Sequence, residues 1–587
     1  MKALRSLNKY FWKYKWHFFL GIAFTVASNY FGVKMPAYVK ESIDDLQQTT
    51  INPTLESALW LAAKIGGFYL LLSFMKGFFL FLMRQTIIIM SRRIEYDLKN
   101  EIYNHYQKLD SSFYKRNRIG DLMNRISEDV SQVRMYLGPG IMYSVNLIVL
   151  SVLSISQMLE ISLTLTLFSL IPLPLMSLLI YKVSKKINEA SKQVQEAKSE
   201  ITTITQESMA GIRVLKAFNQ TAHNLNTLSE ASETYKKKSM KLVLINALFM
   251  PTILLLIGTS TLLVLYVGGV LTESKSISLG SIVAFIFYVS NLTWPFVSIG
   301  WVTSIIQRAE ASQKRINEFL KTQPDIQNPT QEPIDLKGKV EFDKVSLTFQ
   351  ETQIQALKEV SFEIDPGASL GVFGKTGSGK STLIDTIGRL MDPESGEIRI
   401  DGQPLKAINL GAYRNQIAVV TQDTFLFSDT IRNNVTFGAK EPVSDEAVIA
   451  VLKQAHVWHN IEAFPDGLDT LLGELGVNLS GGQKQRICIA RALIAKPKIL
   501  LLDDCLSAVD TETEDRILNE LNGLNPKPTL IMVSHRISTL RNCQNIIVLD
   551  EGRIIEKGTQ EALLESQGVF YQEYRSHLED RKKSDNA

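Results

Sequence analysis

One glycine-rich segment of the chain has the residue types and spacing of a phosphate-binding turn. It fits the pattern G-x-x-x-x-G-K-[ST] and follows the apolar run Ser369–Phe373, which predicts a buried strand. In such a turn the backbone N–H groups surround a phosphate chain, while Lys380 places a positive charge on the outer phosphates and the Ser381 hydroxyl can coordinate Mg²⁺. The predicted phosphate-binding residues are Gly374, Lys375, Thr376, Gly377, Ser378, Gly379, Lys380, Ser381 and Thr382.

A pair of adjacent carboxylates is the second chemical feature. Asp503 and Asp504 follow the apolar run Ile499–Leu502, at the carboxyl edge of a predicted strand, where open α/β sheets bind metals and ligands. Gln422 and His535 also follow predicted strands. Parallel strands that end near one phosphate loop bring the residues after them to the same edge of the sheet, so we expect these four side chains to lie close to the loop.

A third feature is a small-residue turn at the start of a predicted helix that carries Lys484, Arg486 and Arg491. The backbone N–H groups at the positive end of a helix favour an anion, so this turn can form half of a phosphate site. Its residues are Leu479, Ser480, Gly481, Gly482 and Gln483.

Six long apolar runs occupy the N-terminal half, and each is long enough to cross about 30 Å of hydrocarbon. The first loop, over 40–56, is acidic, whereas the long loops over 84–134 and 182–241 are rich in Lys and Arg. The positive-inside rule therefore places both long loops and the N-terminus in the cytoplasm. No small-residue cleavage site follows the first run, which favours a membrane helix over a signal peptide.

Both long loops keep a helical period without becoming apolar. We therefore expect the membrane helices to extend into the cytoplasm and to reverse at short transverse helices near Ser111–Lys115 and Val214–Gln220, which would contact the C-terminal half. The predicted organisation is a transmembrane domain over 1–321 with spans near 14–36, 56–90, 136–159, 161–183, 242–271 and 279–307, a linker over 322–337, a nucleotide-binding domain over 338–576 and a polar tail over 577–587.

The fold class predicted from these patterns is multidomain. An all-α polytopic membrane domain of six transmembrane helices with long cytoplasmic extensions precedes an α/β P-loop NTPase cassette that has a helical subdomain. The formal net charge of +3 over 587 residues does not point to nucleic acid, and none is expected as a partner. All three cysteines lie in the C-terminal half without paired ligand spacing, which indicates a reduced, cytosolic half.

The order of Phe349, GKTGSGKST, Gln422, LSGGQ, ILLLDD, SAVD and SHR resembles the ATP-binding-cassette family. The membrane half is similar to the exporter branch of that family, in which six spans precede the cassette. With one membrane half and one cassette, the chain resembles a half-transporter that must dimerise.

The resemblance implies roles for individual residues. Phe349 would stack on the adenine of ATP, Gln422 would sense Mg²⁺, and Asp503 would be the metal-side Walker B carboxylate, so the implied metal ligands are Ser381, Gln422 and Asp503. The implied catalytic residues are Lys380, Asp504 and His535. The turn Leu479–Gln483 would close over the ATP of the other protomer, Ser507–Asp510 would form the D-loop, and Glu474 would belong to a loop that meets the cytoplasmic loops.

One position departs from the family pattern. The residue after the Walker B aspartate is normally Glu, which positions the attacking water, and here it is Asp504. Because Asp is one methylene shorter, and a misplacement of about 1 Å can reduce a rate on the order of 100-fold, we expect this chain's own site to hydrolyse ATP slowly. The combination resembles one subunit of bacterial heterodimeric exporters whose partner supplies a Walker B Glu; a homodimer is the alternative.

The expected function is an ATP-driven exporter subunit for hydrophobic or amphipathic small molecules, in the multidrug class. A lipid translocator is the alternative, and a regulatory ATPase without net transport is a third hypothesis. The expected cofactors are ATP and Mg²⁺. The expected location is the bacterial inner membrane, with the N-terminus and the cassette in the cytoplasm.

Overall fold

The computed structural model describes residues 2–49, 55–349, 352–473, 476 and 479–576. The chain forms two compact units. The first contains Met1–Gln107 and Ile119–Thr322, and the second contains Lys108–Arg118 and Gln323–Ala587. The boundary at Thr322 coincides with the start of the predicted linker.

The described part of the N-terminal half is helical. Two π-helical segments, Arg125–Asp129 and Tyr136–Gly140, join α5, α6 and α7 into one continuous helix. The α-helices are α1 (Asn8–Lys13), α2 (Lys15–Thr49), α3 (Leu55–Lys108), α4 (Ser111–Arg116), α5 (Ile119–Asn124), α6 (Val130–Met135), α7 (Ile141–Ile161), α8 (Leu163–Leu170), α9 (Pro172–Ala210), α10 (Ile212–Ala217), α11 (Thr221–Glu273) and α12 (Leu279–Lys321).

Among the described residues, five helices are long and apolar enough to cross a membrane: Lys15–Gln47, Leu59–Lys108, Ile119–Ile161, Thr221–Glu273 and Leu279–Lys321. The remaining predicted span, near 161–183, is divided at Ile171 between α8 and α9. The division precedes Pro172 and Pro174, and proline cannot donate the backbone hydrogen bond that continues a helix. The six predicted span ranges stay a prediction.

The helices α3 and α11 contain 54 and 53 residues, far more than the roughly 20 needed to cross a bilayer. The short helices α4 and α10 lie at the two predicted reversals. Asp110 caps α4, because its carboxylate accepts a hydrogen bond of 3.1 Å from the backbone N–H of Phe113.

The second unit contains two sheets. One is antiparallel with the order β2-β1-β4-β5, and the other has six strands in the order β10-β9-β3-β8-β7-β6. The strands are β1 (Val340–Phe349), β2 (Ile354–Ile364), β3 (Ser369–Phe373), β4 (Ser395–Ile400), β5 (Gln403–Pro404), β6 (Ile417–Val420), β7 (Ile499–Asp503), β8 (Thr529–Ser534), β9 (Asn545–Asp550) and β10 (Arg553–Gly558).

Helices cover one face of the six-stranded sheet, helices together with the antiparallel sheet cover the other, and each face encloses an apolar core. Between β6 and β7, α15 and α16 pack against α18 and form the helical part of the unit. The helices are α13 (Lys380–Ile387), α14 (Leu410–Arg414), α15 (Ile431–Thr436), α16 (Asp445–Gln454), α17 (Trp458–Ile461), α18 (Gly481–Ile494), α19 (Thr511–Asn522), α20 (Ile537–Leu540) and α21 (Gln560–Glu565). The predicted fold class is confirmed.

Three central strands, β3, β7 and β8, are buried along their whole length. Their near-continuous apolar sequences are typical of parallel strands covered on both faces. The parallel register pairs Phe373 with Ser534, Asp503 with Val533 and Val420 with Leu502. The carboxyl ends of β3, β6, β7 and β8 therefore lie at one edge of the sheet.

Helix α4 belongs to the second unit together with the nucleotide-binding domain. Lys115 forms an ion pair of 3.3 Å with Asp385 on α13, and Arg116 forms one of 3.0 Å with Asp325. The backbone N–H of Asp325 also donates to the carboxylate of Asp110, at 2.6 Å. The predicted contact between the first transverse helix and the C-terminal half is thus present.

Candidate functional site

The glycine-rich turn connects β3 to α13 as predicted. Gly379 caps α13 with a φ of 102°, and a Cβ on this residue would lie 2.3 Å from the carbonyl oxygen of Ala356. Only glycine fits there without displacing backbone. Lys380 Nζ donates hydrogen bonds of 2.7 Å to the carbonyl oxygens of both Gly374 and Lys375, so the ammonium lies within the curve of the loop.

A cavity of about 950 Å³ opens over this loop and gathers nearly all of the predicted nucleotide-binding residues. Ser378 is the exception: it is buried behind the loop, and its hydroxyl has no hydrogen-bond partner among the described residues. The predicted residues that line the cavity are Phe349, Gly374, Lys375, Thr376, Gly377, Gly379, Lys380, Ser381, Thr382, Gln422, Asp503, Asp504 and His535.

Burial makes the charged groups of this cavity interact strongly. It raises the pKa of Asp503 above its ordinary value, although a hydrogen bond from Ser381 opposes the rise. It lowers the pKa of Lys380, and the nearby carboxylates of Asp504 and Asp503 oppose that fall. The Asp503 carboxyl group and the Lys380 ammonium group are thus partly buried, where the effective dielectric constant is low and a bound charge interacts strongly with them.

Asp504 and His535 contact each other directly. The His535 Nδ1 lies 3.0 Å from both carboxylate oxygens of Asp504. Asp504 itself has a φ of 45°, and its backbone N–H donates a 2.9 Å hydrogen bond to Val533 on the neighbouring strand. The turn after β7 therefore fixes where this carboxylate points.

The oxygen-bearing side chains of the cavity fit Mg²⁺. Ser381, Gln422 and Asp503 supply a hydroxyl, an amide and a carboxylate, which are the hard oxygen donors that this ion prefers, and all three line the same cavity. Burial is the main cause of the raised pKa of Asp503, and the charges of Asp385 and Asp504 add to it. A divalent cation bound beside this carboxylate would oppose that rise.

The small-residue turn forms a capping box at the start of α18. The Ser480 hydroxyl accepts from the backbone N–H of Gln483 at 3.3 Å, and the Gln483 side chain accepts from the backbone N–H of Ser480 at 2.9 Å. Ser480 and Gly481 are exposed, Leu479 is buried, and Gly482 packs so tightly that a Cβ would lie 2.7 Å from the Ala508 carbonyl oxygen. None of these residues lines the cavity over the chain's own phosphate loop.

Two family models match this chain. Residues 18–296 match the ABC transporter transmembrane region, and residues 357–507 match the ABC transporter model. A probable multidrug resistance ABC transporter ATP-binding/permease protein, YheI of Bacillus subtilis (strain 168), is 34% identical over 575 residues, which is 97% of each chain. The chain belongs to the ABC transporter family.

Other relatives bear different names. The multidrug resistance-like ATP-binding protein MdlA of Escherichia coli (strain K12) is 34% identical over 98% of this chain and 96% of its own. The ATP-dependent lipid A-core flippase of Thiobacillus denitrificans is 30% identical over 94% of each chain. A bacterial Atm1-family ABC exporter solved with ATP bound matches the fold with a TM-score of 0.77 and 24% identity, over 97% of this chain and 98% of its own.

This chain is therefore an ABC exporter half-transporter, with a helical transmembrane domain followed by an α/β nucleotide-binding domain. Its activity is ATP hydrolysis coupled to transport, ATP binding belongs to that activity, and ABC exporters work as dimers in a lipid bilayer. The predicted family, fold and ATPase activity are confirmed.

The ABC exporter's cavity also contains residues that the sequence analysis did not find. Lys358, Glu551, Gly552 and Glu573 line it, and they come from β2, the turn after β9 and the C-terminal segment. The backbone explains one of them: the Gly552 N–H donates to the Ser378 carbonyl oxygen at 3.1 Å and so supports the loop from behind. The sequence signal that could have indicated any of these four residues is the turn Glu551-Gly552 after β9. Glu474, given a role by resemblance, lies outside the described residues.

Proposed function

We propose that this chain is the slowly hydrolysing subunit of a heterodimeric exporter. The observation that carries the proposal is Asp504, which stands where the family has Glu and is held by His535 at 3.0 Å. A carboxylate that is one methylene shorter, only 9% exposed and already engaged by the histidine is poorly placed to orient an attacking water. The partner would supply a Walker B Glu.

In this proposal the phosphate loop and the Ser480–Gln483 turn of one cassette contact different ATP molecules. Phe349, the loop Gly374–Thr382 and Lys380 hold the chain's own ATP, while Ser480–Gln483 completes the partner's competent site. The exposure of Ser480 and Gly481, away from their own phosphate loop, supports a role across the dimer. The capping box uses the backbone N–H groups of Ser480 and Gln483 and so fixes the turn, while the N–H groups of Gly481 and Gly482, at the start of α18, are the ones that would face an incoming phosphate.

Mg²⁺ would be held at the chain's own site by Ser381, Gln422 and Asp503. Bound there, it would neutralise charge on the outer phosphates during phosphoryl transfer. Lys380 would stabilise the same charge, and His535, oriented by Asp504, would direct Nε2 towards the γ-phosphate. Positioning and electrostatic stabilisation would thus supply the catalysis.

A second subunit is also supported by the surface around α10. Met209, Val214 and Phe218 are 72%, 60% and 73% exposed, which is unusual for apolar residues at the cytoplasmic end of a helix pair. We infer that the partner covers this surface, and that the α4 and α10 regions transmit closure of the two cassettes to the membrane helices.

The proposed substrates are hydrophobic or amphipathic small molecules, because YheI and MdlA carry multidrug names and resemble the chain over nearly its whole length. The lipid A-core flippase relative supports a lipid translocator as the second candidate. The proposed location is the bacterial inner membrane, with the N-terminus and cassette in the cytoplasm, in agreement with the distribution of Lys and Arg in the loops.

The test is to tag the chain, purify it from its native membrane and identify the protein that accompanies it. The complex should hydrolyse ATP in a substrate-stimulated manner, whereas the chain purified alone should hydrolyse it at least about 100-fold more slowly. Robust hydrolysis by the chain alone, with no second subunit recovered, would establish a homodimer and overturn the proposal. Transport of labelled drugs against labelled lipids in vesicles distinguishes the two substrate classes.

A further inference from the structure

A groove of about 370 Å³ lies between the end of α1 and the surface of α3, within the first compact unit. Tyr14 forms one wall, and the α3 residues Ile88, Ile89, Arg92, Arg93, Tyr96 and Asp97 form the other. The nucleotide mechanism does not use it. We propose that this groove binds the headgroup and proximal chains of an anionic phospholipid from the cytoplasmic leaflet.

The groove lies where α3 changes from apolar to charged. Ile88 and Ile89 belong to the short apolar run Ile87–Met90, which Arg84–Thr86 separates from the long apolar stretch before it, and Arg92 and Arg93 follow within one turn. In the neighbouring N-terminal segment, Trp12 and Trp16 are each 71% exposed. Exposed tryptophans beside such a transition are typical of the membrane–water interface, at the level of the lipid headgroups.

The carboxylates near the groove are already paired with cations. Asp97 is bound by Lys13 Nζ at 2.6 Å and by the Tyr14 hydroxyl at 3.0 Å. Glu95 is bound by Arg92 at 3.0 Å and Lys99 at 3.1 Å, and Arg134 lies 3.6 Å away. Both carboxylates are therefore paired, and among the residues that line the groove the two cations Arg92 and Arg93 outnumber the single carboxylate Asp97, so the groove has an excess of positive charge.

Arg93 is the cation that remains available. Within the described part of the chain it has no carboxylate partner, and its Nη1 lies 3.4 Å from His17 Nε2. Arg93 is an exposed residue that lines the groove. Guanidinium groups bind phosphate through two parallel hydrogen bonds, so Arg93 is suited to a phosphodiester.

The shape of the groove favours a lipid over a free anion. Ile88, Ile89 and the rings of Tyr14 and Tyr96 provide an apolar surface next to the arginines, and Ile89 and Tyr96 are exposed. A soluble phosphate would use only the cationic end. A phospholipid would satisfy both ends, since basic pockets on the cytoplasmic side of membrane helices bind anionic headgroups.

The experiment uses the intact transporter, purified with its partner and delipidated in detergent. Binding of phosphatidylglycerol and of phosphatidylcholine is titrated by native mass spectrometry in the wild type, Arg93→Gln and Lys99→Gln. Lys99→Gln removes one charge from the same helix, outside the groove. We expect Arg93→Gln to weaken one class of phosphatidylglycerol binding about tenfold, because a charge-assisted hydrogen-bonded pair is lost. Phosphatidylcholine binding and Lys99→Gln should change less than about twofold.

A third variant and a competitor complete the test. Arg93→Lys keeps the positive charge but cannot form two parallel hydrogen bonds, so it should lose an intermediate amount of phosphatidylglycerol affinity. It also replaces Arg93→Gln in the test if that variant does not fold. Glycerophosphoglycerol, which is the phosphodiester headgroup without acyl chains, should not displace the lipid at equal concentration. The proposal is overturned if Arg93→Gln and Arg93→Lys bind phosphatidylglycerol like the wild type, if Lys99→Gln loses as much as Arg93→Gln, or if glycerophosphoglycerol competes equally.

Discussion

His535 Nδ1 lies 3.0 Å from each of the two carboxylate oxygens of Asp504, across the ends of the neighbouring strands β7 and β8. A hydrogen bond to a carboxylate requires a proton on Nδ1, so Nε2 is the ring nitrogen that can face the cavity. The carboxylate thus orients the imidazole, and both carboxylate oxygens contact Nδ1. The shared hydrogen bond fixes the direction of the Asp504 carboxylate, and with it the place where a water could be held.

Asp504→Glu should accelerate hydrolysis at the chain's own site, because the added methylene carries the carboxylate towards the position that the family uses for the attacking water. We expect an increase of about 10- to 100-fold. The own-site rate is measured in a chain that also carries Ser480→Arg, which in our proposal silences the partner's site. Asp504→Asn is the matched control and should give no increase, since the amide cannot act as a base. An unchanged rate in Asp504→Glu would contradict the view that side-chain length limits this site.

Ser480→Arg by itself should abolish most steady-state hydrolysis by the dimer. Ser480 is exposed and forms the capping box with Gln483, so an arginine there both removes the cap and blocks the approach of a nucleotide. We expect a loss of at least about 100-fold with normal assembly, measured as ATPase activity and by size-exclusion chromatography.

Ser444→Arg is the matched control for Ser480→Arg. Ser444 is also an exposed serine at the N-terminal cap of a helix, α16, and it lies outside the Leu479–Gln483 turn that is proposed to meet the partner's nucleotide. Its substitution should leave the rate within about twofold of the wild type, as is usual for surface changes. Substantial residual activity in Ser480→Arg would mean that the chain's own site carries most of the hydrolysis, and the proposed division of labour would be wrong.

Several of these elements could be predicted from the sequence because local rules dictate them. The glycine pattern fixes the phosphate loop, and continuous apolar runs such as Ile499–Leu502 identify buried parallel strands whose ends must meet. Lys358 and Glu573 could not be found, because no motif marks them and only the tertiary fold brings them to the cavity. The pairing of Lys115 with Asp385 is equally long-range, at a sequence separation of 270 residues.

The interruption at Ile171 had a different cause. Hydropathy counts only the transfer of side chains into hydrocarbon, so it predicts one span over 161–183, and that span stays a prediction. Pro172 and Pro174 interrupt the backbone hydrogen bonding of a helix without making the run less apolar. The two prolines are visible in the sequence, but they act on backbone hydrogen bonding, which a hydropathy scale does not measure.

Asp503 should make nucleotide binding in the presence of Mg²⁺ depend on pH. Metal binding requires the deprotonated carboxylate, and burial raises the pKa of Asp503, with Asp385 adding to the rise. As the pH falls, Mg²⁺-dependent ATP affinity should therefore decline at a higher pH than an ordinary aspartate would give. Asp385→Asn should shift that decline to lower pH, and Asp503→Asn should remove it and weaken affinity by about tenfold.

The measurement is ATP affinity at saturating and zero Mg²⁺ between pH 5 and 8. The nucleotide's own titration is common to all variants, so it cancels when they are compared with the wild type. If Asp503→Asn retains the full pH dependence, another group holds the metal.

The contact between Lys115 and Phe349 should link adenine binding to the short helix α4. Lys115 Nζ lies 5.9 Å from the centroid of the Phe349 ring, and Phe349 also lines the nucleotide cavity. A cation near the ring stabilises it electrostatically, so Lys115→Met should weaken ATP binding about two- to fivefold. The loss of ATP affinity in Lys115→Met should disappear in a Phe349→Leu background. Binding of tripolyphosphate, which has no base to stack on the ring, should not change in Lys115→Met.

Arg116→Met is the control for this prediction, because Arg116 lies on the same helix but pairs with Asp325. It should leave both affinities unchanged. If Lys115→Met weakens tripolyphosphate and ATP equally, the lysine acts through its charge on the phosphates and not through the ring. If instead the loss is confined to ATP and disappears in the double variant, then occupancy of the adenine site is communicated to α4 through Phe349, the residue that contacts both.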